Sequence, residues 1–158
     1  MIDNLDKELV FQLQKDAKRS YADLGKLLHV AETTVRNRIK QLIKKKIIKI
    51  AAISDPKVLG YQFMGIMGLQ VRLEDLRVVA EHLAKHPNVC YVISTTGRYD
   101  LIAIVFCKSS SEFAGFMENE VATIPSVLRT ETFVSLNIFK GQESGLDTRQ
   151  LISNLSTL

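Results

Sequence analysis

The stretch RNRIKQLIKKKIIK, Arg36 to Lys49, holds seven basic residues and no acid. Its side chains, with the threonines just before it, match the edges of a DNA duplex. Arg36 and Lys40 can bond guanine edges or phosphates, Asn37 and Gln41 can pair with adenine, and Thr33 and Thr34 can meet a base or a thymine methyl. Lys44 adds a contact to the phosphate backbone, which carries no sequence information. Arg38 falls at the edge of the apolar stripe of this segment, where either a phosphate or an acid of the first helix can take it. A solvated helix face is the alternative explanation of such a basic run.

A second polar group is TTGRYD, Thr95 to Asp100, followed by the apolar run LIAIVFC. As a plain turn, Gly97 supplies a positive φ, Asp100 bonds backbone N–H groups, and Arg98 and Tyr99 are solvated. That leaves Thr95, Thr96 and Tyr99 without a task. An α-amino acid would use them all. Turn N–H groups and Arg98 hold its carboxylate, Asp100 or a carbonyl takes its ammonium, and Tyr99 walls its side chain. A site this shallow needs completion by another subunit, for which Thr130 and Thr132 of the last strand are candidates.

Other chemistry is thin. His29, His82 and His86 lie on different elements from TTGRYD, and no nucleophile–base pair has a recognisable spacing, so no catalytic residue is assigned. His82 and His86 stand at i, i+4 without a further ligand placed by the sequence, so no metal site is assigned. Cys90 and Cys107 sit in apolar runs without a CxxC spacing and read as core thiols. No cofactor is expected beyond an amino-acid effector.

The elements that must carry these groups follow from periodicity. Leu5, Leu9 and Leu13 make an apolar stripe on a helix beginning near Asp3. Ser20 with Asp23 caps a second helix holding Leu24, Leu27 and Leu28. Val35, Ile39 and Leu42 fall within about 60° of one another on a third helix, which turns Thr33, Asn37, Lys40 and Lys44 outward. Three helices joined by short turns make a helix-turn-helix. The next segment, 49–60, reads as a strand and hinge ending in turns at Asp55-Pro56 and Gly60.

The remainder reads as strand, helix, strand, strand, helix, strand. The strands are Phe63 to Arg72, Val89 to Thr95, Leu101 to Cys107 and Val127 to Phe139. One helix carries Leu76, Val79, Ala80 and Leu83; the other is capped by Ser109 with Glu112 and carries Phe113, Phe116, Met117 and Val121. This βαββαβ order is a ferredoxin-like α+β sandwich, with helices on one side of an antiparallel sheet. A lone sheet leaves its other face wet and alternating, yet LIAIVFC is apolar on both faces. A two-fold dimer that pairs sheet to sheet covers such a face and sets two recognition helices on paired half-sites.

Charge divides along the same line. Residues 1–53 contain 12 Lys+Arg against 6 Asp+Glu, whereas the rest of the 158-residue chain is slightly acidic. No run approaches the length of a membrane span, and the acidic N-terminus is unlike a secretory signal, which points to the cytoplasm.

The first half resembles the DNA-binding domain of the Lrp/AsnC (feast/famine) regulators: an acid-started helix, Arg19 before the second helix, Leu24-Gly25, and a Val-x-x-Arg-Ile run from Val35 to Ile39. Two positions depart from that pattern. Ala31 stands where the third helix usually has a Ser cap, and Lys46 where it usually ends at a Gly. The second half is similar to the same family's regulator-of-amino-acid-metabolism (RAM) domain. Its marker is the Gly-x-Tyr-Asp loop, here GRYD from Gly97 to Asp100, and the late run RTETFVSLNIFK is similar to its last strand.

The organisation expected is therefore a helix-turn-helix domain over 1–48, a linker over 49–60, a ferredoxin-like effector and oligomerisation domain over 61–140, and a tail over 141–158. The tail falls outside the resemblance, and Leu151, Ile152 and Leu155 there suit a short helix starting at Asp147. The resemblance implies a regulator that binds double-stranded DNA as homodimers joining into octamers and answers to an amino acid. The rival readings are a small dimeric α+β enzyme and an amino-acid-sensing partner protein without its own operator.

Overall fold

The computed structural model describes residues 2–139. The chain folds as two compact units, one ending at Ala52 and the other beginning at Ile53.

The first unit is three helices: α1 (Asn4–Lys15), α2 (Tyr21–Leu28) and α3 (Glu32–Lys44). Asp3 starts α1 with a reciprocal box. Its carboxylate accepts the Asp6 N–H at 2.9 Å, and the Asp6 carboxylate accepts the Asp3 N–H at 3.3 Å. At α2 the Ser20 hydroxyl accepts the Asp23 N–H at 3.1 Å. The Asp23 carboxylate accepts the Ser20 hydroxyl at 2.6 Å. Ala31 leaves α3 without a side-chain cap. Leu9, Leu24, Val35 and Ile39 are all 0% exposed and form the centre of this unit.

The turn into α3 is tight. His29 adopts a left-handed φ of 56°, and the Val30 N–H donates to the Gly25 carbonyl at 3.0 Å. A Cβ at Gly25 would stand 2.8 Å from the Val30 carbonyl oxygen, so only glycine admits this approach of the turn to α2. The small residue after Leu24 is thus explained by the backbone that packs on it.

After α3 the strand expected within 49–60 is not paired among the described residues. Residues 48–55 carry neither helix nor paired strand, and 56–60 are turns, with the Tyr61 N–H donating to Pro56 O at 2.9 Å.

The second unit is a four-stranded antiparallel sheet in the order β2-β3-β1-β4, the ferredoxin-like arrangement expected. Its strands are β1 (Phe63–Val71), β2 (Val89–Ser94), β3 (Leu101–Cys107) and β4 (Val127–Val134), with α4 (Leu76–Lys85) and α5 (Ser110–Phe116) between them. A π-helical turn, Met117–Val121, extends α5. Met67, Leu69 and Val71 of β1 and Leu101, Ala103, Val105 and Cys107 of β3 face the helices, packing with Val79, Leu83, Phe116 and Val121. Asn88 is buried and staples β2 to its neighbours, its amide donating to Phe106 O at 2.8 Å and to the Glu112 carboxylate at 2.9 Å.

The last strand is shorter than the alternating pattern to Phe139 predicts. Val134 pairs with Gly65, and the Ser135 N–H makes one further bond to Met64 O at 2.9 Å. Beyond that β1 has no backbone left to offer, since it begins at Phe63. An edge strand ends where its single partner ends. The helix expected from Asp147 lies outside the described residues.

Because the Val30 carbonyl is backbone and cannot swing aside, Gly25→Ala should destabilise the first unit by about 1–3 kcal/mol. Urea unfolding followed by helix signal checks this, with exposed Lys26→Ala expected to stay within about 0.5 kcal/mol of the unsubstituted protein.

Candidate functional site: a basic recognition helix and a clamped loop

On α3 the apolar stripe is fully used. Val35, Ile39 and Leu42 are at most 2% exposed, which fixes the rotation of the helix about its axis. Thr33, Arg36, Asn37, Lys40, Gln41 and Lys44 are exposed on the remaining surface, and Thr34 is half-buried. Arg36 pairs with Glu32 one turn earlier at 2.6 Å and lies over the Tyr21 ring at 5.8 Å. This ion pair is exposed and contributes little stability, so Arg36 can exchange Glu32 for a base or phosphate.

Arg38 takes the structural side of its two alternatives. Its guanidinium lies 2.5 Å from the Asp3 carboxylate and 3.3 Å from that of Asp6, joining α3 to the start of α1. The Asp6 N–H, followed by the Arg38 guanidinium, holds the Asp3 carboxyl below the usual carboxylate range. The α1 cap and the α3 orientation are thereby one electrostatic unit.

In the second unit the TTGRYD loop joins β2 to β3 and is tied down at several points. Gly97 has a φ of 117°, as the turn requires. The Thr95 hydroxyl donates to Tyr99 O at 2.5 Å, and the Thr95 N–H to Asp100 O at 2.9 Å. Asp100 does more than close its own turn. Its carboxylate accepts the Val71 N–H of β1 at 2.9 Å, while its own N–H donates to Leu69 O at 2.9 Å. The Gln70 amide donates to Arg98 O at 2.8 Å. Thr96 is exposed at the loop tip.

Tyr99 lies on the sheet face away from the helices. A Cβ on Gly68 would come within 2.6 Å of the Tyr99 ring, so the glycine makes the seat for it. The Tyr99 hydroxyl donates to the Glu131 carboxylate, directly across from Gly68 on β4. The same carboxylate lies 3.7 Å from the Arg98 guanidinium. Glu131, more than burial, raises the Tyr99 hydroxyl pKa. Thr130 and Thr132 pair with Leu69 and Met67, whose side chains face the helices, so they stand on the opposite face from Tyr99. The Thr132 methyl would be 3.2 Å from a Cβ at Gly65 on that helix side, close to the Phe113 ring.

Glu131 and Gly68 escaped the sequence reading because no local pattern joins them to the loop. The only available signal was alternation, which sets Glu131 on the other face from Thr130 and Thr132.

A basic helix presented by a three-helix unit, followed by a ferredoxin-like unit with an exposed polar loop, defines a two-part DNA-binding regulator. Comparison with known proteins agrees. The AsnC-type helix-turn-helix domain model matches residues 2–43. The model described as the PF0864 C-terminal dimeric α+β barrel domain matches residues 70–146. An uncharacterised HTH-type transcriptional regulator of Pyrococcus furiosus is 35% identical over 141 residues, 89% of this chain and 95% of that protein. The solved AsnC of E. coli superposes with a TM-score of 0.80 at 29% identity, covering 89% of this chain and 95% of that one. A Neisseria meningitidis transcriptional regulator solved as an L-Met complex shares the fold, with a TM-score of 0.79 at 20% identity over 89% and 93% of the two chains.

The chain belongs to the Lrp/AsnC family of helix-turn-helix transcriptional regulators. It is a sequence-specific DNA-binding protein of a family of regulators rather than enzymes. No helix among the described residues is long and apolar enough to cross a membrane.

The Asp3 carboxyl titrates lower in the folded chain than its unfolded value of about 3.9, so its contribution to stability is present above that value and lost as pH falls through the folded one. Acid titration of the helix signal should therefore show the first unit losing stability below about pH 4, with part of that acid sensitivity removed in Asp3→Asn.

Proposed function

We propose that this protein binds operator DNA as a homodimer or larger assembly and that an amino acid bound at Thr95 to Asp100 modulates that binding. The observation that carries the DNA half is α3. Its apolar stripe is consumed by the core, and Thr33, Asn37, Lys40 and Lys44 remain exposed on a segment without acids. In this reading Asn37, Arg36, Gln41 and the two threonines read bases, and Lys40 and Lys44 meet phosphates. A sensor without its own operator would have no use for such a face. The protein would act in the cytoplasm, where its DNA lies.

The dimer is supported by the open face of the sheet. Ile66, Tyr91, Ile93 and Phe133 are exposed there by 36%, 46%, 37% and 52%, beside half-buried Ile102 and Ile104. A monomer would leave this apolar patch in water, whereas a second sheet would bury it. Assembly of dimers into octamers follows from the family resemblance. The effector half is supported by the clamped loop and by the L-Met complex of the Neisseria protein of the same fold. Loop N–H groups and Arg98 would take the carboxylate and Asp100 or a carbonyl the ammonium, whereas Thr130 and Thr132, on the helix side of the sheet, stand away from this loop and from the face a partner sheet would cover.

Two measurements test these halves. If about six phosphates are neutralised per dimer, fluorescence anisotropy across a salt series should give a slope of log K against log salt near about −5. Lys44→Ala should weaken all sequences alike, and Asn37→Ala should relax preference at particular bases by about 1–3 kcal/mol. A flat salt response with unchanged variants contradicts the DNA reading. For the effector, the twenty amino acids are screened by thermal shift, where a ligand at 100 times its Kd stabilises by about 2.7 kcal/mol. The shift should vanish in Tyr99→Ala; a shift that survives there and in Asp100→Ala places the effector elsewhere.

A further inference from the structure

We propose that Lys46 is a phosphate-contact residue of the DNA interface, and that a lysine occupies a left-handed backbone position for that contact. The end of α3 has a defined geometry. The Lys46 N–H donates to Ile43 O at 2.9 Å and the Ile47 N–H to Leu42 O at 2.9 Å, the paired bonds by which a helix reverses through one left-handed residue. That residue is Lys46, with a φ of 57°. Glycine suits the position because a Cβ there crowds the backbone. Here the chain carries a side chain through it instead.

Packing does not account for the lysine. Lys46 is exposed, as are Lys44 and Lys45 beside it. Ile47, the next residue, supplies the apolar contact of the motif, lining a surface hollow with Leu42 and Ile2. Charge at the helix end does not require it either, since Lys44 already occupies the last turn of α3. The reach of the helix does. Thirteen residues extend about 20 Å, whereas the major groove is about 12 Å wide. A helix whose first turns read base edges carries its far end out to the phosphates that wall the groove. Lys46 stands two residues past Lys44, at that end, within a segment that has no acid to hold it back.

The inference rests on the reading of α3 as the DNA-contacting helix, and the unsubstituted protein measured alongside separates the two. Full-length protein, Lys46→Gly, Lys46→Gln and Lys46→Arg are titrated onto a mixed-sequence duplex across a salt series, and each is melted without DNA. Lys46→Gly and Lys46→Gln should both have salt slopes shallower by about 0.9 per bound protomer, and Lys46→Arg should keep the full slope. Lys46→Gly alone should raise the melting midpoint, by about 2–4 °C, because it relieves the left-handed backbone. Slopes for Lys46→Gly and Lys46→Gln equal to that of the unsubstituted protein overturn the proposal. So does a shallower slope in Lys46→Gly alone, which would trace the effect to the backbone rather than the charge. A flat slope in the unsubstituted protein overturns the DNA reading itself.

Discussion

Burial of one stripe of α3 is the constraint on which the DNA-binding unit depends. Val35 and Ile39 must face the core formed with Leu9 and Leu24 while Leu42 is buried on the same stripe, and a helix has only one rotation that achieves this. The outward direction of Asn37 and Lys40 is a consequence of that burial. Two further contacts fix the helix along its other degrees of freedom. The glycine at 25 lets the turn close on α2, and Arg38 ties α3 to the acid pair that caps α1. The exposed side chains proposed to meet DNA are thus placed by contacts within the three-helix unit.

The second unit solves a similar problem with a sheet. β1 lies between β3 and β4, and Asp100, the loop residue from which β3 starts, bonds it at Leu69 and Val71. Gly68 then gives Tyr99 a seat on the open face, where Glu131 holds its hydroxyl. The loop is therefore held by contacts of its own chain, and an amino acid bound there, as proposed, would order little further. The carboxylate of Glu131 also stands beside Arg98, so an anionic ligand group at that guanidinium must compete with it.

The helices and most strand limits were legible because each element has one buried face with its own period. Val35, Ile39 and Leu42 mark a helix, and the polar turn at Gly97 separates two apolar runs into a hairpin. The extent of β4 was not legible, since the alternation to Phe139 outlasts the partner strand that would pair with it. The segment after α3 differs for a related reason: its apolar residues suit a strand, but none of the described strands pairs with it. For the sites, residue types in α3 and in the loop were readable, whereas the roles of Arg38 and Glu131 depend on contacts 35 and 32 residues away in sequence. Alternation could assign Thr130 and Thr132 to a common face. Which face Tyr99 shared was decided by the bare backbone of Gly68, a tertiary fact.

In the proposed DNA complex the outward face of α3 enters the duplex. A photo-crosslinking side chain placed in turn at Asn37, at Lys44 and at Phe11 on the exposed side of α1 tests it in the full-length protein. Cross-links to bases are expected from position 37 and to the DNA backbone from position 44, with none from position 11. Cross-linking from position 11 with none from positions 37 and 44 would contradict it.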